Sequence, residues 1–274
     1  MHRQGIHLGE IQQTLLIPLY GRAVESRKPN AVLRDPRAEE MVAAIDYDFA
    51  RFDGVQSLIG AVLRTVLFDH WVRAFLTENP SGTVVELGTG LNTRYDRLDN
   101  GRAQWFDLDL PDVIALRRSF FTDTERRRMI AASLVDDGWL ETVAQAPAPY
   151  FFAAEAVLLY LSVADVRYVV DLLTENFPGA WLALDTAGSG IVDTQDEHDA
   201  LGKMTARMRW SCADPAALQE WRPGVRLRET CRLSTLPAPV HSALPEEYRD
   251  MLAAVAAQNL PQMEEYHLSL LRLG

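Results

Sequence analysis

Thr83-Val84-Val85-Glu86-Leu87-Gly88-Thr89-Gly90-Leu91-Asn92-Thr93-Arg94 is a short apolar run that passes straight into two closely spaced glycines. Its β-branched residues favour a buried strand, and Gly88 and Gly90 let the backbone turn sharply and approach a ligand. A dinucleotide-binding turn carries a third glycine where this chain has Thr93, and no Gly-Lys-Ser/Thr sequence supplies a basic phosphate cradle. A ligand without phosphates fits this turn better. The next apolar run, Gln104-Trp105-Phe106-Asp107-Leu108-Asp109-Leu110, delivers Asp109 roughly 20 residues past the glycines, where an acidic side chain binds the hydroxyls of a ribose. The pair points to a nucleoside ligand. The alternative is that the glycines only make a turn and that Asp109 caps a helix opening at Pro111.

Outward from this stretch, the turn cluster Asn79-Pro80-Ser81-Gly82 separates two regimes. Before it, Asp35-Pro36 opens a helix with Ala38, Met41, Val42 and Ile45 on one face. Ile59, Val62, Leu63, Val66, Leu67 and Trp71 mark a second helix. After it, short apolar runs alternate with amphipathic ones, the pattern of βα units in a mostly parallel sheet. Strands are expected near Thr83–Leu87, Gln104–Leu108, Arg128–Ala132, Tyr150–Ala154, Trp181–Asp185, Val225–Leu233 and Tyr266–Leu273. The last two alternate polar and apolar like half-exposed, antiparallel strands. Residues 187–224 read as an insertion with a polar helical piece, placed to cover a site.

The chain has 274 residues, 48% of them hydrophobic, which suits one sizeable core. We read a single domain over 1–274, with a helical cap over 1–80 and an α/β core over 81–274. A net charge of -11 repels phosphate backbones and anionic bilayers, so neither nucleic acid nor a membrane is an expected partner. Cys212 and Cys231 lack the spacing of a metal knuckle or a disulfide framework, so no metal is expected and both read as reduced thiols. The opening apolar stretch is short and cut by Pro18, unlike a signal peptide or spanning helix, which makes cytoplasmic residence the expectation.

Gly88-Thr89-Gly90-Leu91-Asn92-Thr93-Arg94, Asp109-Leu110-Pro111 and Ala154-Glu155-Ala156-Val157-Leu158-Leu159-Tyr160-Leu161, in that order, resemble the successive motifs of the leucine carboxyl methyltransferase family, and within it a bacterial, polyketide-methylating branch. The resemblance extends to Arg22-Ala23-Val24-Glu25-Ser26-Arg27 and Asp46-Tyr47-Asp48, and so covers nearly the whole chain. It implies a Rossmann-like, S-adenosylmethionine-dependent methyltransferase fold, α/β in class, with a mostly parallel seven-stranded sheet and extra N-terminal helices. By motif match it also implies the cofactor contacts. Arg64 holds the carboxylate of the methionine end, Gly88 and Gly90 pass under that end, and Asp109 takes the ribose. Ser133 and Leu134 lie beside the adenine, Glu155 sits near the amino group and the reacting centre, and Glu86 and Leu110 complete the set. The chain departs from the family pattern at Asn92 and Ser133, where Asp is usual, and at Ala156, where Gly or Cys is usual.

Methyl transfer from a sulfonium is a direct displacement, so the acceptor needs only a lone pair. A carboxylic acid with pKa about 4 is ionised at neutral pH, whereas a phenol near 10 benefits from a general base. No Ser, Cys or Asp stands in a nucleophile motif, and His7, His70, His198, His241 and His267 share no triad or metal spacing. The lack of a base favours a carboxylate acceptor, and the resemblance implies an O-methyltransferase for a small-molecule carboxylate, a polyketide or aromatic acid. Glu155, Arg22 and Arg94 are its candidate catalytic residues, and Arg207 is a further acceptor contact. Arg22 and Glu25, one helical turn apart, equally fit a surface ion pair. A phenolic O-methyltransferase, a nicotinamide dehydrogenase and a non-catalytic cofactor-binding relative stand as alternatives, and homodimerisation is left open.

Overall fold

A computed structural model describes residues 4–258 and 264–274. Seven strands, β1 (Thr83–Leu87), β2 (Gln104–Asp109), β3 (Arg127–Ala131), β4 (Tyr150–Ala154), β5 (Trp181–Ala187), β6 (Arg226–Cys231) and β7 (Tyr266–Arg272), form one sheet in the order β3-β2-β1-β4-β5-β7-β6. The first five are parallel; β7 runs antiparallel to both β5 and β6. Each lies within two residues of its sequence expectation, and the closing strands are antiparallel as their alternation predicts. Val84 sits opposite Trp105 on one side and Phe151 on the other, so β1 is central. The chain reverses direction of travel across the sheet between β1 and β4, and the loops at their carboxyl ends open the crevice where such sheets bind ligands.

Period-two alternation divides the core into two layers. Val84, Trp105, Phe151, Ala183 and Leu268 meet Val72, Phe75 and Leu76 of α3 (Ser57–Glu78) on one face. Val85, Phe106, Phe152 and Leu182 meet α6 (Leu140–Ala144) and α7 (Val163–Asn176) on the other, through Val143, Val169, Val170 and Leu173. Glu86, next to Val85, therefore points to the α3 face. α3 is apolar around most of its surface up to Val72 because it is buried there between the sheet and the N-terminal helices, whereas Arg73, Ala74, Thr77 and Glu78 at its end are exposed. Among the described residues no helix is long and apolar enough to cross a membrane.

The N-terminal helices α1 (Leu16–Ser26) and α2 (Pro36–Ala44) pack Leu16, Leu19, Ala23, Ala38 and Met41 against Leu91 of the glycine turn and Ile114 of α5 (Pro111–Arg117). Asp35 starts α2 as its sequence suggests, its carboxylate accepting from Ala38 N at 2.9 Å. Ile45 is extended rather than helical and pairs with Gln4, although its side chain stays in the same apolar cluster. Apolar spacing shows which side chains are buried, not where the helix stops.

Residues 187–224 contain no long helix. Helical turns of three or four residues alternate with loops, and Ile191, Leu201, Met204 and Met208 pack on Ile17, Phe52, Leu58, Leu159 and Tyr160. The expected polar helical piece is absent because these apolar residues fall at irregular spacing, so no single helix would bury them together. Cys212 and Cys231 are free thiols.

Candidate active site

β1 delivers the chain into a turn with Gly88 at φ 63° and Gly90 at φ 50°. A side chain at Gly88 would place its Cβ 2.4 Å from Val157 Cγ2, and at Gly90 3.2 Å from Leu15 Cβ, so conformation and space both demand glycine. The turn is fixed from outside by Arg117, which donates to the carbonyls of Gly90 at 3.0 Å and Asn92 at 2.8 Å. From β2, Asp109 accepts from Gly90 N and Leu110 N, both at 2.7 Å. Leu110 takes the cap position of α5 without a side-chain bond, so Asp109 serves the glycine turn rather than the body of the helix. Burial pushes the Asp109 carboxyl up to about 6, against the pull of those two N–H groups.

Past the turn, α4 (Arg94–Leu98) opens with Arg94, whose side chain is fully buried. Its Nε donates to Asp69 Oδ1 at 2.7 Å, its Nη1 to Glu86 Oε2 at 2.6 Å and its Nη2 to Glu155 Oε2. Asn92 takes over what an aspartate would do here. Its Oδ1 accepts from Arg94 N at 2.6 Å, and its amide adds a donor to Glu86 at 3.2 Å. Glu155, at the carboxyl end of β4, also accepts at Oε1 from Arg64 Nε at 3.1 Å and Thr65 Oγ1 at 2.7 Å. Burial raises the Glu155 carboxyl, but Arg94 and Arg64 outweigh it and hold the group down at about 2. Arg64 donates its Nη1 to Tyr266 Oη at 3.0 Å, and among the described residues its Nη2 has no hydrogen-bond partner. Glu86 Oε1 is likewise buried and unpartnered, and burial raises that carboxyl.

Arg64, Glu86, Gly88, Gly90, Asp109, Leu110 and Glu155 thus converge at one end of the central strands. Leu134 follows β3 and is buried beside Phe106 and Leu108, with Ser133 half-buried next to it and turned onto its own loop through Asp136 and Val135. Arg22 is buried but donates to Asp35 at 2.9 Å and to the Leu91 carbonyl at 2.7 Å, which ties α1 to the glycine turn. Arg22 and Glu25 are not a surface pair. Glu25 is buried with Lys28 at 2.8 Å and Tyr248 Oη at 2.6 Å. Arg207 lies half-exposed on the 187–224 segment, paired with Asp196.

Four contributors were missed by the reading of the sequence. Thr65 and Asp69 lie one turn apart on α3, and a carboxylate inside that apolar run was the available signal. Asp185 lies near the carboxyl end of a parallel strand, and Glu155 directly follows one, so the same rule of strand ends would have found it. Tyr266 carries no local signal, because only the antiparallel return of β7 brings it to Arg64 and Asp185.

A loop of two left-handed glycines, a carboxylate held beside it, and an arginine beside two glutamates offer complementary partners to an uncharged nucleoside joined to an amino acid. The leucine carboxyl methyltransferase family model matches residues 16–174, which contain all of these groups. The chain is 29% identical over 264 residues to the tetracenomycin polyketide synthesis O-methyltransferase of Streptomyces glaucescens, covering 96% of each chain. It is 28% identical to an S-adenosyl-L-methionine-dependent methyltransferase of Gibberella zeae over 80% of each. Its fold is similar to the crystal structure of a DUF574 family protein from Streptomyces avermitilis, with a TM-score of 0.57 at 15% identity, covering 95% of this chain and 97% of that one. The chain belongs to the leucine carboxyl methyltransferase family and is a methyltransferase.

Proposed function

We propose that this protein is an S-adenosylmethionine-dependent O-methyltransferase acting on a carboxylate of a small molecule, a polyketide or aromatic acid. The observation that carries the reading is the Arg64–Glu155 pair at the open end of β4, beside the glycine turn. Arg64 Nη2 fits the carboxylate of the cofactor's amino-acid end, and Glu155 with the unpartnered Glu86 Oε1 fits its ammonium. Gly88 and Gly90 leave room for that end, Asp109 accepts from the ribose, and Leu110, Ser133 and Leu134 flank the adenine. When bound, S-adenosylmethionine supplies an electrophilic methyl group on a sulfonium.

Arg94, expected as an acceptor contact, is better assigned as a positioning group, since each of its three nitrogens donates to a protein carboxylate, and Arg22 is assigned the same way through its bonds to Asp35 and the Leu91 carbonyl. Arg94 sets Glu155, and Arg22 sets the turn through Leu91. The hydroxyls near the pair are poor bases: burial pushes Tyr160 up to about 12 and Tyr266 well above its ordinary value. An acceptor that is already ionised suits such a site. Orientation of two bound reactants supplies on the order of 7–11 kcal/mol of barrier reduction in favourable cases. The similarity to the Streptomyces glaucescens enzyme supports a polyketide-type acceptor and transfer to oxygen.

The test uses S-adenosylmethionine carrying a labelled methyl group and a panel of aromatic carboxylic acids, each paired with its methyl ester. Label in a product that mild alkali releases as methanol is the expected result. Label in an alkali-stable ether would reassign the acceptor as a phenol, and no transfer to any member would overturn the carboxylate reading.

A further inference from the structure

The main chain after Glu155 is held in an unfavourable shape. Ala156 has φ 57°, and it is the one non-glycine residue with positive φ among the described residues. Its N–H donates to Asp185 Oδ1 at 2.8 Å. Asp185, at 0% exposure, accepts at its other oxygen from the Tyr266 hydroxyl. The Tyr266 oxygen accepts in turn from Arg64 Nη1 at 3.0 Å, and Arg64 Nε donates to Glu155 Oε1 at 3.1 Å. That last bond returns to the residue preceding Ala156. A closed ring of hydrogen bonds therefore joins α3 and the ends of β4, β5 and β7.

We propose that Asp185 and Tyr266 are positioning residues that preorganise Arg64 and Glu155 for the amino-acid end of the cofactor. Asp185 holds the left-handed turn that aims Glu155. Tyr266 anchors one arm of the Arg64 guanidinium and leaves Nη2 for the incoming carboxylate. Without that anchor, two buried opposite charges are free to turn fully onto each other, and their orientation must be restored on each binding event. The Tyr266 hydroxyl serves here as a donor to Asp185 and an acceptor from Arg64, not as a proton acceptor from substrate. This inference rests on the assignment of the site to S-adenosylmethionine and states which part of that molecule the two residues serve.

The prediction is selective. Tyr266→Phe weakens S-adenosylhomocysteine binding by about tenfold, the worth of one hydrogen bond to a charged group. Binding of 5′-methylthioadenosine, which lacks the amino-acid end, stays within about twofold. In turnover, KM for S-adenosylmethionine rises while kcat at saturation is kept. Asp185→Asn, which preserves volume, shifts the same ratio and serves if Tyr266→Phe does not fold. Calorimetric titration of wild type and both variants with the two nucleosides decides. Equal losses for both ligands, or no loss for either, overturn the inference. Wild-type protein that binds neither nucleoside overturns the site assignment itself, which is a distinguishable outcome.

Discussion

A carboxylate accepts from two ribose hydroxyls most strongly while it is ionised, because protonation turns one of its oxygens into a donor. Burial holds Asp109 at about 6, above its ordinary 3.8. Because the folded pKa is raised, lowering the pH through 6 favours the protonated, ligand-free protein and opposes cofactor binding. The affinity for S-adenosylhomocysteine is thus expected to fall between pH 7 and 5, by up to about tenfold per unit below 6. Asp109→Asn should flatten that dependence. Titrations across this range in wild type and variant check it, and a pH-independent wild type would contradict the role given to Asp109. Glu155 has the opposite sign. Held at about 2 against an ordinary 4.5, it contributes stability above that ordinary value and loses it as pH falls toward 2. The backbone at Ala156 is left-handed, a shape that glycine adopts without steric cost, and Asp185 holds it so.

At the scale of elements, Arg94 links four of them: its own α4, Asp69 of α3, Glu86 of β1 and Glu155 of β4. Its three partner carboxylates are nearly buried; Asp69 keeps Arg97 and Glu155 keeps Arg64 when Arg94 is removed, but Glu86 is left without a cation among the described residues. Breaking a buried charge pair in this way costs roughly 3–5 kcal/mol. Arg94→Ala should therefore lower the free energy of unfolding by about that amount in denaturant titration at pH 7. Part of the loss should be recovered toward pH 5, where the stranded Glu86 carboxyl, already raised by burial, takes up a proton. A change of less than about 1 kcal/mol, the usual worth of a surface pair, would remove Arg94 from the centre of the network. None of this linkage is visible in local spacing, since residues 69, 86, 94 and 155 meet only once the sheet order is set. Arg94 read as a basic group near a ligand and is in fact enclosed.

Across the whole molecule, β1, β2, β4 and β5 were legible as short, mostly apolar runs bounded by turn residues, and β6 and β7 announced their antiparallel setting by alternation. The glycine turn was legible because backbone geometry imposes its spacing, and Asp109 because it ends the next strand beside that turn. The segment 187–224 was not: its burial is scattered along loops and its fold follows from what it covers. The ring through Asp185 and Tyr266 was hidden for a related reason, as it joins residues 202 positions apart along the chain. The central claim is the proposed cofactor site at the crevice between β1 and β4. The measurement that tests this most directly is calorimetric titration of the protein with S-adenosylmethionine, S-adenosylhomocysteine and NAD, in wild type and in Asp109→Ala. The account predicts saturable binding of the first two, loss of it in the variant and no binding of NAD; a preference for NAD, or binding that the variant leaves intact, would contradict it.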